Sequence, residues 1–285
     1  MLIKILIYGG LGNQLFQLAF GESLKITYNN INIKYIDLTK YAYTKRKWEL
    51  DFLNIKPFNV SKREISSIFF KRFINSKLNK FNSNFLYFGI INEKQYKYIQ
   101  NCLEKNRNFI LDGYWQSEQY FYDNKFDIKT FLNSKNKNFS IDNRDSKNQK
   151  VAVHIRLGDY INTLKGKKNH LVCNFEWYKN AIIFLKGFNK DLQFTVFSDD
   201  KELVKNEFRN FKNLEIYNSD YANSAYEDLF EMTKYDHFII SNSSYSWWAS
   251  YLGEKENSKI IAPKYWLKNL KTKEFSLYRE NWILL

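Results

Sequence analysis

The sequence predicts a two-domain α/β protein built on parallel sheets. Three observations carry that expectation. A strand, a glycine turn, a helix and a second strand open the chain. A polar, unpatterned stretch lies near its middle. Beyond that stretch, short apolar runs alternate regularly with helical patterns.

Leu2–Tyr8 is apolar at nearly every position and reads as a buried strand, with Gly9-Gly10-Leu11-Gly12-Asn13 as the turn after it. Leu15, Leu18 and Ala19 then recur at helical spacing within 13–26, and Ile31–Leu38 reads as the next strand. Two strands joined through a helix pair in parallel. Residues 39–109 are charged and aromatic-rich, and KREISSIFFKRFI is their clearest amphipathic piece. LDGYWQSEQYF follows at 111–121, and NSKNKNFSIDNRDSKNQK at 133–150 reads as a linker or long loop. Strands are then expected at 151–156, 193–198, 213–217, 237–241 and 259–262, with helices at 175–187, 200–207, 224–234 and 244–252. The domains fall at 1–140 and 150–285, with a cleft between them. Open α/β sheets bind ligands outside the carboxyl ends of their strands, so the residues just past each strand are the candidates.

Composition narrows the function. With 285 residues, 44% of them hydrophobic, and only two prolines and ten glycines, the chain is neither fibrous nor linker-dominated. Its net charge of +14 attracts anions, yet the lysines are dispersed, with KRK at 45–47 and KGKK at 165–168 the densest clusters. No zinc-finger, RNP-like or helix-turn-helix pattern accompanies them, so nucleic acid is not the expected partner. A phosphate-bearing small ligand or an anionic membrane surface suits the same charge. Cys102 and Cys173 have no CxxC spacing, which excludes a disulfide framework and a zinc site. MLIKILIYGG is too short to span a bilayer and lacks a signal cleavage region. The expected location is the cytoplasm, with peripheral contact at the inner membrane.

Four strand exits carry the chemistry. Gly9-Gly10-Leu11-Gly12-Asn13-Gln14 offers flexible backbone at a helix N-terminus, an anion or sugar site. Only Gly10 and Gly12 fit the dinucleotide fingerprint, and Leu15 stands where its third glycine belongs, although Asp37 could serve as the ribose acid. In VAVHIRLGDY (151–160), His154 and Arg156 share a strand face, and a guanidinium suits two-pronged recognition of phosphate. Alternatively, Arg156 pairs with Asp159 to close a loop, and His154 is a satisfied core histidine. Asp199-Asp200 reads as a helix N-cap with a ribose or base contact. NSSYSWW (242–248) sets Asn242, Ser243, Ser244 and Ser246 at a helix N-terminus, a phosphate cradle without glycine. Trp247 and Trp248 read as core packing. On the helix before it, Asp228 is placed to accept from a guanine edge, or belongs with Glu227 and Glu231 to a solvated acidic face. The sequence contains no DxD, the usual metal-diphosphate arrangement, and no metal is expected.

GGLGNQLFQ, LDGYWQSEQYF, VHIRLGDY and NSSYSWWASYLG, in this order and spacing, resemble the bacterial α-1,2-fucosyltransferases of glycosyltransferase family 11. The resemblance implies a GT-B-like fold of two Rossmann-type halves, the N-terminal half on the acceptor side. It implies GDP-β-L-fucose as donor with no metal or other cofactor, inversion at the anomeric carbon, and the 2-hydroxyl of a galactose-type acceptor, free or lipid-linked. It makes Arg156 the β-phosphate arginine, His154 a guanosine contact and Asp228 the guanine reader. Ser243, Ser244 and Tyr245 become the phosphate-side cradle, and Gly12 with Asn13 an N-terminal contact to fucose or diphosphate. Asp159 is the candidate base. The family pattern H-x-R-R-x-D has a second arginine where this chain has Leu157, which by period two points away from Arg156. Two alternatives stand beside this: another GDP-sugar transferase resembling the O-fucosyltransferases, and a NAD-binding oxidoreductase.

Overall fold

The computed structural model describes residues 1–285 except 42–45, 79–88, 94–97, 100–102, 104–106, 138, 140–148, 165, 171, 219–224 and 269–275, and only the backbone of 159, 162, 167 and 169. The described chain forms two compact units, Met1–Asn136 and Lys137–Leu285.

The first unit holds β1 (Leu2–Ile7), β2 (Asn32–Asp37), β3 (Ile90–Asn92) and β4 (Phe109–Asp112). All pair in parallel in the order β2-β1-β4-β3. Ile3, Ile5, Leu6 and Ile7 of β1 have no exposed surface, because helices cover both faces of the sheet. On one face lies α1 (Leu11–Thr27), where Gly21 leaves room for Ile5 and Tyr35: an added Cβ would stand 2.5 Å from Ile5 Cδ1. On the other lies α2 (Lys62–Leu78), whose Ile68 joins Leu6, Ile36, Ile90 and Ile110 in one apolar cluster. Two short helices follow, α3 (Gln119–Tyr122) and α4 (Ile128–Lys135), the latter capped by Asp127.

The second unit holds β5 (Lys150–Ile155), β6 (Gln193–Ser198), β7 (Leu214–Ile216), β8 (His237–Ile239), β9 (Ile260–Ala262) and β10 (Ile283–Leu284). Between them run α5 (Gly158–Asn162), α6 (Phe175–Lys186), α7 (Lys201–Phe208), α8 (Ala225–Met232) and α9 (Ser244–Gly253). The strands are parallel in the order β10-β9-β8-β5-β6-β7. Counted within this sheet and read from β7, that is 3-2-1-4-5-6, the doubly wound Rossmann order. The strand order reverses between β5 and β8, and this switch point is where such sheets bind ligands. Val151, Val153, Phe194, Val196, Ile239 and Ile261 fill its core.

Both units are thus the parallel α/β halves expected from the alternation. β3, β4 and β10 went unpredicted: β3 and the start of β4 fall in the stretch 39–109 without readable periodicity, and β10 spans only two residues. No helix among the described residues is long and apolar enough to cross a membrane.

Candidate active site

At the switch point of the second sheet, β5 hands over to Arg156, Leu157 and Gly158. The β5–β6 register sets Ile155 beside Ser198, so Asp199 emerges next to Arg156. The guanidinium Nη1 lies 2.7 Å from Asp199 Oδ2, and both side chains are about nine-tenths covered, at 14% and 13% exposed. The other carboxylate oxygen accepts the Leu157 N–H at 2.8 Å. Gly158 makes this approach feasible, since a Cβ there would stand 2.5 Å from Asp199 Oδ2. The two aspartates divide their work. Asp200 is the N-cap of α7, accepting from Leu203 N at 3.0 Å. Asp199 is not the cap; its carboxylate bonds to the β5 exit. Among the described residues, Asp199 is thus a carboxylate partner of Arg156. Asp159 lies in α5, and its side chain is outside the described residues.

His154 is buried in the seam between β5 and β8, with Nδ1 2.9 Å from Ser241 Oγ and its ring 5.4 Å from that of Tyr245. Burial, reinforced by the Arg156 charge, lowers its pKa to about 3, so the imidazole is neutral at physiological pH. This is the satisfied core histidine the sequence offered as one alternative. Leu157 is buried in the apolar core of the unit. It points away from Arg156, as its period required.

Ser243 caps α9, its Oγ accepting from Tyr245 N at 3.3 Å, and Ser243 and Ser244 are half-buried. Their neighbours are occupied by the fold. Asn242 donates its amide to the carbonyls of His170 and Trp266, both at 2.9 Å, tying two loops together. The Tyr245 hydroxyl donates to Ala225 O at 2.5 Å, locking α9 to α8. Ser246 bonds back to the Ser243 carbonyl, while Trp247 and Trp248 are wholly buried. Asp228 is buried on α8, unlike a solvated acidic residue. After burial itself, the carboxylates of Glu231, Asp228 and Glu227 raise the pKa of the Tyr217 hydroxyl. Cys173 is a buried free thiol whose pKa burial pushes up to about 12; Cys102 lies outside the described residues. Among the described residues no three His, Cys, Asp or Glu side chains gather as a metal site.

The first sheet builds a different surface at its carboxyl ends. Gly9 is left-handed, at φ +85°, which glycine alone adopts without strain. The glutamines of GGLGNQLFQ are backbone ties. Gln14 donates to the carbonyls of Gly9 and Lys47 and accepts from Glu49 N, all at 2.9 Å. Gln17 donates to Gly113 O at 2.9 Å and accepts from Tyr8 N at 3.2 Å, joining the exits of β1 and β4. Gly12 is buried, and Asn13 accepts from Gln116 Nε2 at 2.7 Å. The N-terminus of α1 already faces an anion: Leu11 N–H donates to the Glu49 carboxylate, whose pKa is raised by burial. The chain itself thus places a carboxylate at that helix N-terminus. Glu93 plays a similar part beyond β3, accepting from Tyr114 N at 2.7 Å, from Gln116 N at 3.0 Å and from Trp115 N. It thereby holds Trp115 in a left-handed conformation, φ +58°, rare for an aromatic residue. Asp112 accepts from Arg72 Nε at 2.8 Å and from the Tyr8 hydroxyl at 3.1 Å, and the Tyr8 and Tyr114 rings lie 4.9 Å apart. Asp37 accepts from Thr39 N at 2.8 Å.

Sequence reasoning missed Glu49, Glu93 and the pairing of Asp199. Glu49 and Glu93 fall in the stretch without readable periodicity. Asp112 was legible in principle, as the last residue before the glycine of LDGYW.

The chain matches glycosyl transferase family 11 over residues 2–285. It belongs to that family. An alpha-1,2-colitosyltransferase of Escherichia coli is 33% identical over 289 residues, covering 96% of this chain and 96% of that protein. The O-antigen biosynthesis glycosyltransferase WbnK of Escherichia coli is 29% identical over 304 residues, covering 97% and 98%. Among solved structures, E. coli heptosyltransferase WaaC with ADP aligns over 100% of this chain and 92% of that one, with a TM-score of 0.48 at 11% identity. The resemblance carried by four short motifs thus holds at the level of the family, and membership sets the oxidoreductase alternative aside.

Proposed function

We propose that this family 11 member is an inverting, metal-independent α-1,2-fucosyltransferase. It moves L-fucose from GDP-β-L-fucose to the 2-hydroxyl of a galactose-type sugar in a surface glycan such as an O-antigen, capsule or lipopolysaccharide. The observation that carries the reading is the switch point of a 3-2-1-4-5-6 sheet. There Arg156, set by Asp199, follows β5, and the half-buried serines that open α9 follow β8.

Departure of the sugar leaves growing negative charge on the β-phosphate. Arg156 and the N-terminal N–H groups of α9 are fixed donors for that charge, which is the form of catalysis that preorganised dipoles supply. Asp228 reads guanine, His154 and Asp199 hold the donor site in shape, and Asn242 and Tyr245 brace the cradle of Ser243 and Ser244. Gly12 and Asn13 meet the sugar, because Glu49 already supplies the carboxylate at the N-terminus of α1. The acceptor binds on the N-terminal half, 1–140, and the donor on 150–285. Attack from the face opposite GDP converts the β donor to an α linkage. Asp159 is the proposed base, and the departing phosphate is the other route for the proton.

A second donor has an observation in its favour. The 33% identical relative is named a colitosyltransferase. Colitose is fucose without the 3-hydroxyl, so GDP-colitose would use the same nucleotide contacts. The acceptor is a free glycan or a lipid-linked oligosaccharide, in the cytoplasm or at the inner membrane.

GDP release from GDP-fucose and GDP-colitose, measured against an array of galactose-terminated acceptors with linkage analysis of the product, tests the reading. Fucose on a 2-hydroxyl is the expected product. Preference for colitose selects the second donor, and turnover with UDP-sugars alone contradicts both.

A further inference from the structure

We infer that the outer face of α2 is an anchor for an anionic phospholipid surface. The helix carries Lys62, Arg63, Lys71, Arg72 and Lys77 against a single acid, Glu64, which is bonded to Lys4 at 2.5 Å. Its inner face is accounted for: Ile68 lies in the apolar cluster of the first sheet, and Arg72 turns to Asp112 at 2.8 Å. Its outer face is not. Phe70 is 63% exposed and Phe73 57% exposed. Lys62, Arg63, Ser66, Ser67 and Lys77 are exposed around them, and Lys77 Nζ lies 5.5 Å from the centre of the Phe73 ring. Spacings of seven, three and four residues put Arg63, Phe70, Phe73 and Lys77 on one stripe.

Apolar side chains grouped on a surface mark a protein or membrane contact, and the surrounding charge decides between them. The stripe is cationic at both ends and exposes no acid between Lys62 and Lys77. A bilayer containing anionic lipid supplies both complements at one depth: the acyl boundary for the rings and headgroup phosphates for Arg63 and Lys77. The anchor is independent of which sugar is transferred. Failure to bind vesicles would leave the glycosyltransferase reading untouched, and an unexpected donor would leave the anchor untouched.

The test is co-sedimentation of the full chain with phosphatidylcholine vesicles, with and without phosphatidylglycerol, at low and high salt. Binding is expected only with phosphatidylglycerol and is weakened by salt. The double variant Phe70→Ser/Phe73→Ser loses about tenfold or more in partitioning, since each ring leaves an apolar boundary. Arg63→Glu/Lys77→Glu loses a similar factor. Two matched pairs elsewhere, Phe184→Ser/Phe188→Ser and Lys190→Glu/Lys212→Glu, remain within about twofold of the unmodified chain if the contact is local. Circular dichroism checks the fold, and two chemically unlike α2 variants guard against misfolding in either. No sedimentation with anionic vesicles, α2 variants that bind normally, or equal losses in the matched pairs would each overturn the inference.

Discussion

The two sheets end in loops of the same ancestry of design, glycine and amides at the exits of parallel strands, yet those loops carry opposite chemistry. At the carboxyl ends of the first sheet, Glu49, Glu93 and Asp112 bring carboxylates onto a helix N-terminus, a run of backbone N–H groups, a guanidinium and a tyrosine. At those of the second, the β5 exit carries Arg156 paired with Asp199, and α9 opens on half-buried serines. The first arrangement answers its own donors with its own acids. The second pairs a guanidinium with Asp199 at the exit of β5, whose neighbour β8 leads into α9. The same fold element therefore presents carboxylates set on backbone and side-chain donors in one unit and an Arg–Asp pair with helix-capping serines in the other, and the difference lies in which side chains reach the strand ends from elsewhere.

The largest way to break this contrast is Arg156→Ala. It removes a preorganised donor at the switch point and should lower kcat by about 100- to 1,000-fold, with the fold retained by circular dichroism. Turnover near that of the unmodified enzyme would remove Arg156 from the reaction. Gly158→Ala is subtler. Its Cβ would stand 2.5 Å from Asp199 Oδ2, so the carboxylate must shift and take Arg156 with it. A loss of about tenfold or more in kcat is expected, as small misplacements of fixed groups produce, and the double variant with Arg156→Ala should be far from additive.

Gln17→Leu sharpens the contrast from the other side. It leaves Tyr8 N and Gly113 O without their shared partner, which costs about 2–4 kcal/mol at one buried and one part-buried group. Thermal unfolding should register the loss while GDP affinity stays constant, because the damage is confined to the first sheet. The smallest effect is a pH slope. His154 is held neutral, its pKa lowered from 6.5 to about 3, so its contribution is complete above pH 6.5 and fades as pH falls toward 3. His154→Gln should flatten the acid limb of Tm against pH; an unchanged slope would mean that His154 is not buried neutral.

How far the sequence reached follows from the same physics. The second sheet was legible except for β10, because its strands alternate with helical periods. Within the first, β1 and β2 were legible and β3 was not, because it lies in the stretch 39–109 without readable periodicity. Arg156 and Ser243 were singled out because they stand at strand exits. The ion pair of Asp199 with Arg156 was not foreseen, because a contact over 43 positions of sequence is set by the β5–β6 register and leaves no local trace. Leu157 shows the converse: its period alone placed it in the core.

Calorimetric titration of GDP, UDP and NAD into the unmodified chain and Arg156→Ala tests most directly whether the second sheet's switch point is a guanosine diphosphate site. The expected result is binding of GDP in clear preference to the other two, weakened about tenfold or more by the loss of the bidentate guanidinium. Equal binding of all three nucleotides, or GDP binding untouched by Arg156→Ala, would contradict it.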